Sequence, residues 1–238
     1  MAAPFFYQSH ISANDQTLIL DEPTSKHCIQ VLRMTKGEPI ILTDGNGLKL
    51  WANIENPDKK HCSVTVEKKE ILTQKTTELA IAIAFTKNKS RNEWFLEKAT
   101  EIGIQHIYPI ITEHSEKDKF NQERYQQIII SALIQSQQTF LPTLHQIQKL
   151  RTLIENINYE QKFIAHCISE SEKTTLNSAF KAQQSALILI GPEGDFSEKE
   201  VAECLQHQFI PVSLGPNRLR TETAAIYATT LFNAFHYE

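Results

Sequence analysis

The placement of glycine is the feature that most limits what this chain can fold into. Only 7 of its 238 residues are glycine, below the usual share of roughly 7%. Three of them, Gly191, Gly194 and Gly215, fall in two short loops near the C-terminus. Each loop follows an apolar, strand-like run and precedes a helical pattern. Because glycine lets a ligand approach the main chain, and ligands of open α/β sheets bind beyond the carboxyl ends of strands, the loops predict a binding site.

The pattern of apolar residues changes near residue 72 and predicts two domains. Residues 1–72 are typical of a small β-barrel, because the runs 39–43 and 48–54 flank an Asp-Gly-Asn-Gly turn that favours a hairpin. Residues 61–70 predict a further strand, and residues 27–33 predict one short helix. Residues 73–238 alternate strand and helix patterns, which predicts an α/β fold with a parallel sheet.

Within the α/β domain, local signals predict the individual elements. Strands are expected at 79–85, 106–111, 162–168, 185–190 and 209–214, and long helices at 92–103 and 122–140. Pro109 predicts an edge or end position for its strand. Ser197 and Glu200 form a capping box that starts a helix after the first glycine loop. Thr221 is expected to cap the last helix, with Glu222 in its first turn.

Composition limits the classes of partner. The chain is 41% apolar and 22% charged, with a formal net charge of −4 and a pI near 6.2. A nucleic-acid-binding protein is usually basic, so RNA would need a local cationic patch or the combined patches of a dimer. No apolar run reaches the roughly 20 residues of a membrane helix, and four scattered cysteines suggest reduced thiols. We expect a cytoplasmic protein with no membrane segment and no metal site.

Known short motifs do not account for the two loops. The dinucleotide fingerprint, the P-loop and the nucleophile elbow are all absent. Taken singly, the first loop is also typical of a tight turn, and Arg218, Arg220 and Glu222 are also typical of a solvated helix start. Their conjunction favours one pocket, because two consecutive strand–loop–helix units both break at Gly-Pro and both carry a glutamate.

The two loops also carry a family resemblance. They read GPEGDFSEKE from Gly191 and LGPNRLRTETA from Leu214, which closely resembles the C-terminal signature of the ribosomal RNA small-subunit methyltransferase E family. Lys87, the run EKATEIG at 97–103 and the segment 27–33 resemble further family motifs, so that the resemblance covers nearly the whole chain. It departs from the family pattern at several positions, which include Asp195, Asn217, Gln138 and His114.

The resemblance implies a fold, a reaction and partners. The family belongs to the SPOUT superfamily, so residues 73–238 are expected to form a SPOUT domain with a parallel sheet and a C-terminal trefoil knot, after a PUA-like β-barrel at 1–72. The implied reaction is methyl transfer from S-adenosylmethionine to N3 of a uridine in 16S rRNA of the 30S subunit. A homodimer is also implied.

The implied roles fall on three groups of residues. Arg220 and Glu222 are the catalytic candidates, with Glu193 as an alternative base and burial required of either carboxylate. The cofactor would contact Leu189, Ile190, Gly191, Pro192, Glu193, Gly194, Leu214, Gly215, Leu219, Arg220 and Thr221, and His166 is a further candidate for the pocket wall. The candidates for RNA phosphate contact are Arg33, Lys36, Lys87, Lys89 and Arg91.

Three alternative functions stay open at the level of sequence. The first is a SPOUT methyltransferase that acts on another RNA, such as tRNA or 23S rRNA. The second is an RNA-binding protein on a degenerate methyltransferase scaffold, against which the intact run at 220–224 argues. The third is a small-molecule enzyme, which the acidic pI permits.

Overall fold

A computed structural model describes residues 3–115, 120–168 and 173–236. The chain divides into two compact units. The first unit contains residues 1–74 together with a later segment, 133–141. The second unit contains residues 75–132 and 142–238. The change of pattern near residue 72 therefore lies close to a division of the structure, although the return of 133–141 to the first unit has no counterpart in the sequence pattern.

The first unit is built on a five-stranded sheet in the order β1-β3-β4-β5-β2. Its strands are β1 (Phe5–Tyr7), β2 (Thr17–Ile19), β3 (Pro39–Thr43), β4 (Leu48–Asn56) and β5 (Ser63–Ile71). The predicted hairpin and the strand after it are confirmed, since β3, β4 and β5 pair antiparallel in sequence order. The sequence pattern did not predict β1 or β2, because each strand is only three residues long.

The helical part of the first unit starts earlier than predicted. Helix α1 (Glu22–Lys26) begins because the Asp21 side chain accepts a hydrogen bond from the main chain of Thr24. It continues into a π-helical turn at His27–Val31. The predicted helix at 27–33 therefore covers only the second half of this segment.

The turn between β3 and β4 joins the segment 133–141 to the first unit. Gly45 and Gly47 have φ of 75° and 94°, the left-handed region that favours glycine. The main-chain N–H of Gly47 donates to the carbonyl of Thr139, and that of Leu141 donates to the carbonyl of Gly45. Helix α3 (Gln122–Gln135) consequently ends five residues before the predicted limit of residue 140, which was wrong.

The second unit is an eight-stranded sheet in which all assigned neighbours pair parallel. The strand order is β11-β13-β10-β12-β6-β7-β8, and β9 also pairs with β7. The strands are β6 (Leu79–Ile83), β7 (His106–Ile111), β8 (Thr143–Leu144), β9 (Gln148–Lys149), β10 (Gln161–Ala165), β11 (Thr174–Thr175), β12 (Ala186–Ile190) and β13 (Ile210–Ser213). The predicted α/β class with a parallel sheet is confirmed.

The helices of the second unit mostly begin where local capping signals place them. The other helices are α2 (Lys89–Ile102), α4 (Leu150–Asn156), α5 (Leu176–Ala179), α6 (Glu198–Gln206) and α7 (Thr221–Phe235). The capping box at Ser197 and Glu200 is confirmed, with both of its hydrogen bonds formed. The prediction that Thr221 caps α7 was wrong, because Arg220 occupies the cap position without a side-chain bond and Thr221 is the first helical residue.

The core of the second unit explains the two most apolar runs of the sequence. Every residue of β6 and β12 is buried, as expected for central strands covered on both faces. The edge position predicted from Pro109 was wrong, since β7 lies between β6 and β8. Pro109 falls between the β7 residues that pair with β8 and those that pair with β9, where the ladder on that side is interrupted.

Candidate functional site

A cavity of about 600 Å³ lies at the carboxyl ends of β12, β10 and β13, three neighbouring strands of the parallel sheet. This volume is within the range of small-molecule sites. Most of the residues proposed for the cofactor line it, which are Ile190, Gly191, Pro192, Glu193, Leu214, Gly215, Leu219, Arg220 and Thr221. This geometry agrees with the expectation that the two glycine loops border a single pocket.

Three of the residues proposed for the site lie outside the described lining of the cavity. Leu189 is fully buried on β12 and belongs to the apolar core. Gly194 packs against the side chain of His114, since a Cβ added at Gly194 would lie 3.1 Å from the Cβ of His114. Glu222 is buried in the first turn of α7 and is described with Arg91 below.

A buried hydrogen bond joins the two glycine loops. The hydroxyl of Thr221, at the start of α7, donates to the carbonyl of Gly191 over 3.0 Å. Thr221 is buried, so water does not readily replace this bond. The bond fixes the end of the second loop against the beginning of the first. Thr221 therefore has a structural partner in place of the capping role predicted from the sequence.

Asp195 holds the end of a third strand against the first glycine loop. It adopts a φ of 62°, which an aspartate tolerates better than most residues. One carboxylate oxygen accepts the N–H of Cys167 over 2.6 Å, and the other accepts the N–H of Phe196 over 2.8 Å. The aspartate thus adopts the left-handed backbone conformation at this position and adds a hydrogen bond to the segment after β10.

His114 supports the same loop from the segment after β7. Its Nδ1 lies 3.1 Å from the carbonyl oxygen of Gly194 and 3.0 Å from that of Asp195, and can donate to them. The hydrogen bond to Asp195 is the main reason that the pKa of His114 is raised. The main-chain N–H of Glu113 also donates to the carboxylate of Glu200 over 2.8 Å. Two departures from the family pattern, at His114 and Asp195, therefore meet at one loop.

Arg91 connects the acidic residues of the two glycine loops. Its guanidinium lies 3.5 Å from a carboxylate oxygen of Glu222 and 3.9 Å from one of Glu193. The Glu222 side chain is only 10% exposed, and its second oxygen has no hydrogen-bond partner among the described residues. Arg91 was proposed for RNA contact, which stays a prediction, and the structure places its guanidinium beside these carboxylates. No local sequence signal links residues so far apart in the chain.

The other cations proposed for RNA contact lie at the surface. Arg33 is exposed and has a φ of 57°. Lys36 is exposed and forms an ion pair with Glu55 at 2.6 Å. Lys87 and Lys89 are exposed at the start of α2. Arg33 and Lys36 belong to the first unit, and Lys87 and Lys89 belong to the second.

His166 and Lys173 complete the wall of the cavity beside β10. His166 follows β10 directly and lines the cavity, as its position at a strand end suggested. The ammonium of Lys173 donates to the carbonyl oxygens of His166 and Ile168. Sequence reasoning missed both Lys173 and Asp195, because a surface lysine and a turn aspartate carry no distinguishing local signal.

Two other features, a metal site and a membrane-spanning helix, are absent from the described ranges. Residues 3–115, 120–168 and 173–236 contain no group of three or more His, Cys, Asp or Glu side chains placed to hold a metal ion. In the same part of the chain, no helix combines the length and the apolar character needed to cross a membrane.

Comparison with known proteins identifies the family. A model of the RNA methyltransferase domain matches residues 73–233, and a model of the RNA methyltransferase PUA domain matches residues 20–67. The ribosomal RNA small subunit methyltransferase E of Mesomycoplasma hyopneumoniae is 30% identical over 218 residues, which cover 89% of this chain and 92% of that relative. The chain belongs to the ribosomal RNA small subunit methyltransferase E family. The Bacillus subtilis member is 28% identical over 219 residues, covering 85% of this chain and 84% of its own length.

Solved structures of one rRNA methyltransferase and one probable rRNA methyltransferase share the fold. A probable rRNA-methyltransferase from Porphyromonas gingivalis superposes with a TM-score of 0.91 at 37% identity, over 98% of both chains. The ribosomal RNA small subunit methyltransferase E of Neisseria gonorrhoeae, bound to S-adenosyl methionine, superposes with a TM-score of 0.88 at 25% identity, over 99% of this chain and 98% of its own. The chain therefore has the architecture of the methyltransferase E family from end to end.

Proposed function

We propose that this protein transfers a methyl group from S-adenosylmethionine to N3 of a uridine in 16S rRNA of the 30S subunit. The observation that carries the proposal is the cavity formed by two glycine loops in a chain whose family relative from Neisseria gonorrhoeae binds S-adenosyl methionine on the same fold. Such a substrate implies action in the cytoplasm.

The cavity offers what a nucleoside cofactor needs. Main-chain N–H and carbonyl groups of 190–194 and 214–221 border or adjoin it, and Leu214 and Leu219 add apolar surface. The buried ring of His166 presents polar atoms that no described residue satisfies. When bound, S-adenosylmethionine supplies an electrophilic methyl group on a sulfonium. The protein has to hold that group in line with the uridine nitrogen, because alignment lowers the barrier of a two-substrate step.

Arg220 is the residue proposed to stabilise the reacting base. N3 of uracil carries a proton, so the ring becomes anionic when that proton leaves. A guanidinium stays protonated and donates strong hydrogen bonds to oxygen anions. Arg220 is exposed and lines the cavity, and it therefore has room to donate to a uracil carbonyl. Charge stabilisation of this kind is commonly a large part of catalysis.

Glu222 is the residue proposed to receive the proton, with Glu193 as the alternative. The Glu222 side chain is largely buried, which keeps water from the carboxylate, whereas that of Glu193 is about half exposed. In favour of Glu193, its side chain belongs to the lining of the cavity. Arg91 lies beside both carboxylates, so that it orients whichever of them acts. The variants Glu222→Gln and Glu193→Gln separate the roles, since only loss of the base removes transfer while cofactor binding persists.

The RNA is proposed to meet cations of both units. In the first unit these are Arg33 and Lys36, which lie on the surface of the PUA-like domain. In the second unit they are Lys87 and Lys89, while Arg91 is assigned to its carboxylate partners. Lys87→Glu with Lys89→Glu should weaken binding to the small subunit and flatten its salt dependence. A salt dependence equal to that of the wild type would remove these lysines from the RNA surface.

A homodimer and a knotted C-terminal segment are further parts of the proposal. Trp94 of α2 and Tyr227 of α7 are large side chains exposed by 44% and 42%, and these two helices pack on each other. Exposed aromatic residues on adjacent helices suit the interface with a second copy. The two loops joined by Thr221 and Gly191 are the segments that we expect to cross in the knot.

The deciding experiment is transfer from labelled S-adenosylmethionine to 30S subunits that lack the modification, followed by nucleoside analysis. We expect 3-methyluridine in 16S rRNA. Label in tRNA or 23S rRNA but not in the small subunit would favour the alternative substrate. Absence of cofactor binding would overturn the reaction altogether. A matched reaction with Arg220→Gln should retain cofactor binding and lose most of the transfer.

A further inference from the structure

The ring of His166 is buried in the cavity without a partner. The residue is only 7% exposed, and neither Nδ1 nor Nε2 has a hydrogen-bond partner within the described part of the chain. Strand β10, which it follows, lies between β12 and β13, so that the residue emerges between the two glycine loops. Buried polar groups in folded proteins nearly always have a partner, and one that lacks it needs an explanation. Because His166 lines the cavity, a bound ligand is that explanation.

The main chain on either side of His166 is held by charged side chains. The ammonium of Lys173 donates to the carbonyl oxygen of His166 over 2.8 Å and to that of Ile168 over 2.6 Å. The carboxylate of Asp195 accepts the N–H of the next residue, Cys167, over 2.6 Å. All three bonds go to main-chain atoms and leave the imidazole unengaged. The segment is therefore fixed before a ligand arrives, which lowers the entropy that binding has to remove.

The surroundings favour the neutral form of the imidazole. Burial lowers the pKa of His166, and the nearby Lys173 ammonium lowers it further, while Asp195 acts in the opposite direction. The other charged residues of the cavity wall are Glu193, Arg218 and Arg220. A neutral imidazole carries one N–H donor and one acceptor nitrogen. The imidazole thus has one donor and one acceptor without a partner in the described part of the chain.

We propose that His166 binds the ribose hydroxyls of the cofactor, and that it thereby sets a preference for a ribonucleoside over a deoxyribonucleoside in this site. The inference rests on the proposed function, because it takes the cavity to hold S-adenosylmethionine. A hydroxyl donates and accepts at once, so it suits either nitrogen in either tautomer. The amino groups of the cofactor only donate, its carboxylate only accepts, and the adenine edge divides donor and acceptor between different atoms, whereas each hydroxyl oxygen is both. The diol is the part of the molecule that matches an imidazole with one donor and one acceptor.

The test is a binding cycle that crosses ligand and protein variants. Calorimetry would measure S-adenosylhomocysteine and its 2′-deoxy and 3′-deoxy analogues against the wild type, His166→Phe and His166→Gln. Removing the hydroxyl that His166 binds should weaken binding to the wild type about three- to tenfold, the usual effect of one hydrogen bond. The same removal should weaken binding to His166→Phe by less than about twofold. His166→Gln should recover part of the difference, since an amide also donates and accepts.

A matched control and two contrary outcomes complete the test. His207→Phe makes the same change at a histidine outside the described lining of the cavity, and it should behave as the wild type towards every ligand. Equal losses for the deoxy analogues in the wild type and His166→Phe would overturn the inference and leave the cofactor site in place. Failure of S-adenosylhomocysteine to bind the wild type would overturn the proposed function, and the inference with it.

Discussion

Replacement of Thr221 by valine tests whether the bond between the glycine loops positions the cofactor site. Valine keeps the shape of threonine and removes the hydroxyl that donates to the carbonyl of Gly191 over 3.0 Å. Thr221 and Gly191 are both buried and both line the cavity, so the carbonyl loses its partner in a place that water does not readily fill. Leaving one buried polar group unsatisfied costs about 1–3 kcal/mol.

This cost has two measurable consequences. For a chain of this size, a loss of about 1–3 kcal/mol lowers the melting temperature by roughly 2–12 °C, which calorimetry resolves. The loop ends also lose their fixed separation. We expect the affinity for S-adenosylhomocysteine to fall about three- to tenfold, because part of the binding energy is then spent on ordering the loops.

A second threonine of the same helix separates the two effects. Thr229 is also buried, but its hydroxyl donates over 2.8 Å to Ala225 of its own helix. Thr229→Val therefore also removes a buried hydroxyl, but within one helix, and should leave the affinity for S-adenosylhomocysteine unchanged. Thr221→Ser retains the hydroxyl and should keep most of the affinity. If Thr221→Val melted lower but bound the ligand as the wild type does, the reasoning that this bond positions the loops would be refuted.

Three further predictions concern an ion pair, a backbone position of positive φ and a buried histidine, all within the second unit. Arg91→Met should lower the free energy of unfolding by about 1–3 kcal/mol in the wild type but by less than about 1 kcal/mol in Glu222→Gln, as measured by urea unfolding; equal costs in both would show that the two side chains are not coupled. Asp195→Gly should remain more stable than Asp195→Ala by about 1 kcal/mol, because glycine adopts a φ of 62° without strain; equal stabilities would contradict strain at this position. Burial, with a smaller contribution from the neighbouring imidazole, lowers the pKa of His145 to about 4, below its unfolded value, so its stabilising contribution is present above roughly pH 6.5 and lost as the pH falls towards 4. Between pH 7 and pH 5 the wild type should lose roughly 1–2 kcal/mol more of its unfolding free energy than His145→Gln does, and identical losses would exclude this residue as the cause.

The sequence predicted most of the α/β unit because its signals are local. A fully apolar run such as β12 indicates a strand buried on both faces, and the capping box at Ser197 and Glu200 depends on residues three apart. The hairpin at β3 and β4 depended in the same way on a four-residue turn. Prediction failed where the deciding contact is distant. Helix α3 ends at Gln135 because the segment after it returns to the first unit, and no nearby residue signals that end.

The sequence by itself also determined where the candidate site begins, since glycine after an apolar strand is a local feature. Only the tertiary structure decided which other residues share the site. The strand order places β10 between β12 and β13, and this order brings His166 and Lys173 to the two glycine loops. Likewise, Arg91 reaches Glu222 only because their helices pack together. Burial of apolar surface over the whole unit decides which strands are neighbours and which helices pack together. Such long-range contacts produce no periodic pattern in the sequence around the residues that they bring together.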